Sequence, residues 1–391
     1  MIFGAPIAGS LATVQDPSAG SILIARKLTP SVVHALTNDH TAVLTCRGGF
    51  ACHGANILRV VRKDRLKDVT WVTDLPDEIT LIPSGTQCEV LAGGTVVIAS
   101  SAPIETHSRA PVSELIGLLP SGALIRCYWP DRVYDRFSAS MMLSGLSEDL
   151  RTLGFDGEAI HGPDRLIWFQ GNTPTSVELL DNAQLSSALG RHTITRQRNI
   201  YSSIVRELRL LDDNDGGLDV LAEICRKYFS CFLLHHRTYS DVILRALEVL
   251  ADVIQSDEDK RSLMDRLLGT ELVQWYSSLP FLLSLRKDFI EEPLVVPIPP
   301  FSLEDEISRA ESLLADDFEQ MRLPPHVLET LFNMARLCIL KEWKFILNKL
   351  ITSRVSERLR RLSIDADSIR RYTIGEVLTL YRASEDTHRL H

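Results

Sequence analysis

The sequence is poor in the features that assign a chain to a class most quickly. Its 391 residues hold only seven cysteines, at positions 46, 52, 88, 127, 225, 231 and 338. The number is odd and no CxxC pair occurs, which excludes a disulfide-stapled scaffold and the common zinc spacings and points to reduced thiols in a cytoplasmic setting. Basic charge is not in excess. Lys and Arg total 42 against 51 Asp and Glu, a net charge of -9, so there is no chain-wide electrostatic footprint for nucleic acid. No window approaches the ~18 uninterrupted apolar residues of a membrane span. The opening Met1-Ile2-Phe3-Gly4-Ala5-Pro6 lacks the charged segment and sustained apolar run of a signal peptide, so a soluble cytoplasmic protein without membrane partners is expected. Internal repeats and low-complexity tracts are absent. So are GxxxxGK[ST] and GxGxxG, the two glycine-rich loops that most often cradle nucleotide phosphates.

What is present is ordinary in bulk and informative in order. Hydrophobic residues make up 45% and charged residues 24%, as in soluble globular proteins, and the length allows two or three domains. Up to about residue 100, short aliphatic or β-branched runs are separated by turn residues: Ile22 to Ala25, Thr41 to Thr45, Thr70 to Thr73, Cys88 to Ala92 and Val96 to Ala99. These read as strands. Thr29 can cap a helix from Pro30 to Asn38, and a second short helix is expected between His53 and Lys63. The expected class is therefore α/β, a β/β/α domain over 1–105, followed by a linker over 106–125. A mixed α+β segment fills 126–200, with strands at Ala123 to Tyr128 and Leu166 to Phe169 around a helix from Ser138 to Leu153. A mostly α-helical domain occupies 201–391. Proline-rich Pro293 to Pro300 divides it, and Ser302 can cap the helix that follows.

The chemistry concentrates in Thr45-Cys46-Arg47-Gly48-Gly49-Phe50-Ala51-Cys52-His53-Gly54-Ala55-Asn56-Ile57-Leu58-Arg59. A strand ends, two glycines permit a sharp turn, and a histidine stands where a helix is about to begin. Free backbone N–H groups and the positive end of the helix dipole can hold phosphate oxygens there, while an imidazole nitrogen supplies a nucleophile. The same residues also fit a purely structural turn, or a metal site using Cys46, Cys52, His53 and Cys88. The spacing of that last set matches no common zinc motif. No metal is assigned.

The run Gly48-Gly49-Phe50-Ala51-Cys52-His53-Gly54-Ala55 resembles the phosphohistidine signature of the swivelling domain in phosphoenolpyruvate-utilising enzymes. Members include phosphoenolpyruvate synthase, pyruvate phosphate dikinase, rifampin phosphotransferase and the glutamine kinases. Gly4-Ala5-Pro6-Ile7-Ala8-Gly9 is similar to the start of that domain, and Gly20-Ser21-Ile22-Leu23-Ile24-Ala25 with Thr29-Pro30 to the strand and helix start before the histidine. The resemblance implies that His53 is phosphorylated, that Gly48, Gly49, Cys52 and Gly54 shape its loop, and that Arg59 helps hold phosphate. The chain departs from the pattern at Val60-Val61-Arg62-Lys63-Asp64, and Gly54 stands where alanine is common.

The helical half resembles the same enzymes in Ala335 to Phe345, in Tyr372 to Val377 and in Tyr228 to Tyr239. The order of the two parts is inverted, and nothing resembles the ATP-grasp domain. The resemblance therefore implies a split enzyme, with ATP and Mg2+ supplied through a separate ATP-grasp protein and a small-molecule acceptor. Acceptor-binding candidates are Arg132 and Asp135 in a charged loop with Asp131, Tyr134 and Arg136; His235, His236 and Arg237 on an aromatic helix; and Arg336, Glu342 and Lys344 on a long helix with Lys341. Their alternative is structural: a charged loop, a core histidine, a solvated face. Two other functions compete, a non-catalytic interaction protein that retains the fold and a thiol or zinc hydrolase built on Cys52 and His53.

Overall fold

In a computed structural model of the chain, the structure describes all residues except 1, 4–5, 37–38, 48–53, 55–56, 59–68, 74, 92–94, 100–122, 129–132, 153–155, 164, 166, 173–182, 215–216, 233–234, 236–245, 247–253, 255–269, 280–288, 292–293, 322–324, 363 and 390–391. The chain divides into two compact units, Met1–Pro111 with Arg261–Ser284 and Val112–Lys260 with Leu285–His391.

The first unit is built on a seven-stranded mixed sheet. Its strands are β1 (Ile2–Phe3), β2 (Ile7–Thr13), β3 (Ile22–Lys27), β4 (Ala42–Arg47), β5 (Thr70–Val72), β6 (Gln87–Val90) and β7 (Val96–Ile98), in the spatial order β1-β5-β4-β3-β2-β6-β7. β2, β3, β4 and β5 run parallel, and β1, β6 and β7 add antiparallel edges. Period-two alternation explains the burial. Leu11, Ile22, Ile24, Leu44 and Val72 join Leu75, Ile79, Cys88, Val90, Val96 and Ile98 in one core. The intervening Leu23, Ala25, Val43, Thr45 and Trp71 are buried too, as expected of central parallel strands covered on both faces.

Two connections set the geometry. β2 reaches β3 through residues 14–21 with one 3-10 turn at Pro17–Ala19, short for a parallel link. Glycine permits it: a Cβ on Gly20 would lie 2.2 Å from the Ser10 carbonyl oxygen. β3 reaches β4 through α1 (Pro30–Ala35), whose N-cap is Thr29, accepting from Val32 N at 3.3 Å. The helix at Glu271–Ser277 also belongs to this unit and is capped by Thr270.

The second unit opens with a three-stranded antiparallel sheet, β8 (Ala123–Tyr128), β9 (Asp156–His161) and β10 (Ile167–Asn172), in the order β8-β10-β9. The turn between β9 and β10 holds Arg165 at φ 64, the left-handed residue that such hairpin turns demand. α2 (Arg136–Thr152) packs on β9. Among the described residues the other long helices are α3 (Ala183–Asn214), α4 (Leu218–Phe229), α5 (Leu303–Met321), α6 (Pro325–Arg360) and α7 (Ile374–Arg389). Ser302 caps α5, accepting from Asp305 N at 3.1 Å while Ser302 N donates to Asp305 Oδ2 at 3.3 Å, a reciprocal box.

α6 packs against α3, α4 and α5. Its stretch from Leu337 to Leu359 is buried on almost every side, which explains the all-round apolar pattern. The buried Arg354 inside it is paired: its Nε donates to Asp212 at 2.8 Å, and its Nη1 donates to the carbonyls of Val296 at 3.0 Å and Leu350 at 3.2 Å. Among the described residues no helix is long and apolar enough to cross a membrane.

Candidate functional site

β4 ends at the carboxyl edge of the parallel strands, the side of an open sheet outside which ligands collect. β4 ends at Arg47, and description resumes at Gly54, buried and helical, with Ile57 and Leu58 buried beyond it. His53, Gly48, Gly49, Cys52 and Arg59 lie outside the described residues. Gly54 sits on the backbone that leads from β3 to α1. A Cβ there would come within 2.2 Å of the Leu28 carbonyl oxygen and 2.6 Å of its carbon. Glycine at position 54 thus has a steric cause, contact with a backbone carbonyl.

The strands beneath this edge are cross-tied. Trp71 Nε1 donates to Thr45 Oγ1 at 3.0 Å, and the Thr45 hydroxyl donates to the Val72 carbonyl at 3.3 Å, which fixes β4 against β5. Cys46 Sγ donates to the Pro76 carbonyl at 3.5 Å. Cys46 and Cys88, half of the sequence-level metal set, lie in the apolar core. Burial, followed by the neighbouring Glu89 carboxylate, pushes the Cys88 thiol up to about 11. At the edge itself the last two residues of β3 are exposed cations. Arg26 reaches Asp77 at 3.7 Å, and Lys27 stands in register with Arg47 of β4.

The acceptor candidates separate. Asp135 is the N-cap of α2, accepting from Ser138 N and Ser138 Oγ at 2.8 Å each, and lies 3.7 Å from Arg370. Arg136 pairs with Glu376 at 3.5 Å and donates to the Arg371 carbonyl. Arg132, His236 and Arg237 lie outside the described residues. Arg336 bonds Glu311 at 2.6 Å and Asn333 at 3.1 Å. Glu342 and Lys344 are buried at 1% and 7% exposure. Neither belongs to a solvated face, because α3, α4 and α5 enclose their helix.

His235 and Lys344 do meet in a common buried polar cluster, built around residues the sequence did not single out. Gln197 on α3 accepts from or donates through its amide to three partners: its Oε1 lies 3.0 Å from His235 Nδ1, and its Nε2 donates to the Cys231 carbonyl at 3.3 Å and to Tyr201 Oη at 3.4 Å. The Tyr228 hydroxyl donates to the Lys344 carbonyl at 3.0 Å, and Lys344 Nζ stands 3.8 Å from the centre of the Phe232 ring. Burial first, then the nearby Asp149 carboxylate, raises the Cys231 thiol, while Lys344 and Arg196 oppose the rise. Burial likewise holds Tyr201 and Tyr228 well above their ordinary values. These groups are neutral and packed. The cluster can order the helices, and its thiol is no nucleophile at neutral pH. The sequence signal available was the Gln197, Tyr201 spacing of one helical turn; its partners are distant in the chain.

A shallow groove of 320 Å³ runs beside α3 and the start of α5, lined in part by Ser202, Arg206, Arg209, Leu210, Ser302 and Glu304. None of the acceptor candidates lines it. Ser202 donates to Glu304 at 2.5 Å, and Arg209 to the Pro299 carbonyl at 3.3 Å.

The fold defines a mixed α/β chain, one unit carrying a parallel-centred sheet and the other mainly helical. No family model matches it, and neither a curated protein nor a solved structure does. Among the described residues no group of three or more His, Cys, Asp or Glu side chains is placed to hold a metal ion.

Proposed function

We infer that this chain is the phosphohistidine component of a split ATP-dependent small-molecule phosphotransferase, and that its first unit is a swivelling domain. The observation that carries the reading is the return of the chain at Gly54. The central parallel strand β4 ends at Arg47, and the next described residue, Gly54, is helical and pressed on Leu28. In the sequence between them stand two glycines and His53, the order of residues a phosphate-accepting loop requires. The family resemblance over the first hundred residues adds to it.

In this reading the donor is ATP with Mg2+, held by a separate ATP-grasp protein. A ring nitrogen of His53 uses its lone pair to form an N–P bond to a phosphoryl group of ATP as that phosphorus parts from its bridging oxygen, which leaves with the electron pair on the nucleotide. The acceptor, an amide, carboxylate, hydroxyl or amine held by the helical portion, then forms its own bond to phosphorus, and the N–P electrons return to the imidazole. Delivery to the two partners in turn requires the domain to swivel about a linker.

The test incubates the chain with ATP labelled in its β- and γ-phosphoryl groups and each ATP-grasp protein encoded nearby. Acid-labile, base-stable label that vanishes in His53→Ala is the expected result. Label that persists in His53→Ala rejects the nucleophile. Absence of label with every partner favours a non-catalytic interaction protein.

A further inference from the structure

We propose that Leu294 to Pro300 is a polyproline II docking strap for a partner protein module whose groove is lined by aromatic rings and bordered by carboxylates. The sequence sets its backbone. Pro297, Pro299 and Pro300 hold φ at about -65°, and the residues before them, Val296, Ile298 and Pro299, are turned to extended conformations. The segment is neither helix nor strand, and its burial repeats every third residue, the period of a polyproline II helix. Val296 and Pro299 face inward, whereas Leu294, Pro297 and Pro300 are exposed. Its reach agrees. Val296 N donates to Ser353 Oγ at 3.2 Å, and the Phe301 ring meets Trp343 edge-on at 6.4 Å between centres. Five polyproline II steps from Val296 to Phe301 span about 15 Å, as do ten helical steps from Ser353 back to Trp343, about 15 Å.

The inner ridge is bonded down. Arg354 Nη1 donates to the Val296 carbonyl at 3.0 Å, and Arg209 Nη2 to the Pro299 carbonyl at 3.3 Å. The strap is thus held in its bound shape before any partner arrives, which lowers the ordering cost of association. The outer surface is apolar, with Leu294 50% and Val295 42% exposed, and it presents Pro297-Ile298-Pro299-Pro300, the P-x-x-P spacing that aromatic-lined grooves read. The Pro297 and Ile298 carbonyls accept no hydrogen bond from the described residues and can receive one from a partner's Trp N–H or Tyr O–H. Charge defines the border. Arg206, one turn before Arg209 on α3, lines the groove beside Ser302, is exposed, and has no ion-pair partner among the described residues. The nearby Glu304 is already engaged by Arg198 and Ser202. A carboxylate at the rim of the partner's groove complements Arg206. This surface is independent of whether His53 carries phosphate.

The test uses the full chain, with purified SH3, WW and EVH1 domains as probes and a free proline-rich peptide as competitor, followed by calorimetric titration. At least one domain is expected to bind and to be displaced by the peptide. Pro297→Ala combined with Pro300→Ala should weaken that binding about tenfold. Arg206→Glu should weaken it about fivefold and flatten its dependence on salt, while Arg26→Gln, an exposed pair in the first unit, stays within about twofold of the parent. Where the double proline variant lowers the thermal midpoint, Arg206→Glu, which removes no described contact, decides alone. Binding by none of the three domains overturns the proposal. Binding that neither the variants nor the peptide alters lies elsewhere on the chain and overturns it as well. A dimer of the chain alone, dispersed by the double variant in sedimentation, would make a second copy the occupant and reject the partner module.

Discussion

Replacing Gly54 with alanine tests the packing beneath the histidine loop. In a solvent-exposed helix the change would stabilise, since alanine is favoured over glycine by about 0.8–1 kcal/mol. Here the added Cβ meets the Leu28 carbonyl oxygen at 2.2 Å, a contact no real Cβ makes. The carbonyl cannot yield cheaply, because Leu28 is held between the end of β3 and Thr29, the cap of α1. Overpacking of a rigid interior costs about 1–3 kcal/mol, or more against backbone. With a cost of ~3 kcal/mol and a propensity gain of ~1, the net destabilisation is about 2 kcal/mol, which corresponds to about thirtyfold in local opening. Hydrogen exchange monitored by mass spectrometry should show that acceleration in peptides spanning β3 and β4, with α6 unchanged as the internal control. Equal or slower exchange in Gly54→Ala would mean that the two backbones are not in contact, and the carriage of the loop on Leu28 would have to be abandoned.

Three further outcomes are expected from other parts of the chain. Asp135→Ala removes the α2 cap and should cost about 1 kcal/mol in urea unfolding, whereas Asp135→Asn, which keeps the cap acceptor, should cost less; an acceptor-binding role alone would leave stability untouched in both. Gln197→Leu strips partners from the Cys231 carbonyl, Tyr201 and His235 together and should destabilise by about 2–3 kcal/mol, read by denaturant titration of the second unit's tyrosine and tryptophan signals. Cys88, whose folded thiol is raised from 9.0 to about 11, is protonated in both states below pH 9. Above that the unfolded thiol ionises first, so this group's contribution to stability is lost as pH rises from about 9 to about 11. Alkylation by iodoacetamide at pH 8 should be slow in the native protein and rapid in urea, and equal rates would refute the burial.

Local chemistry made much of the framework legible. Ile22 to Ala25, Thr70 to Thr73 and Val96 to Ala99 announce strands through β-branched composition, and the structure places β3, β5 and β7 there. Thr29 and Ser302 announce helix starts because capping is a property of four consecutive residues, and both side chains make the expected bonds. β2 and β9 were not legible. Ile7–Thr13 contains Gly9 and Ser10 and becomes a strand by bonding β3 on one side and β6 on the other. Asp156–His161 has little strand character and is held by β10 and α2. The sequence suggests a strand over Leu166 to Phe169, yet β10 continues to Asn172 because β8 and β9 pair with it along its whole length.

At the site the division is of the same kind. The chain alone determined that a histidine follows two glycines at the end of a β-branched strand, since that pattern is contiguous and its chemistry follows from neighbouring residues. Only tertiary structure decided that Leu28 dictates glycine at 54, that Glu342 and Lys344 are enclosed, and that Gln197 joins His235 across 38 positions. Burial and steric exclusion belong to pairs of segments brought together by folding, and no local pattern encodes which carbonyl will lie over which Cα.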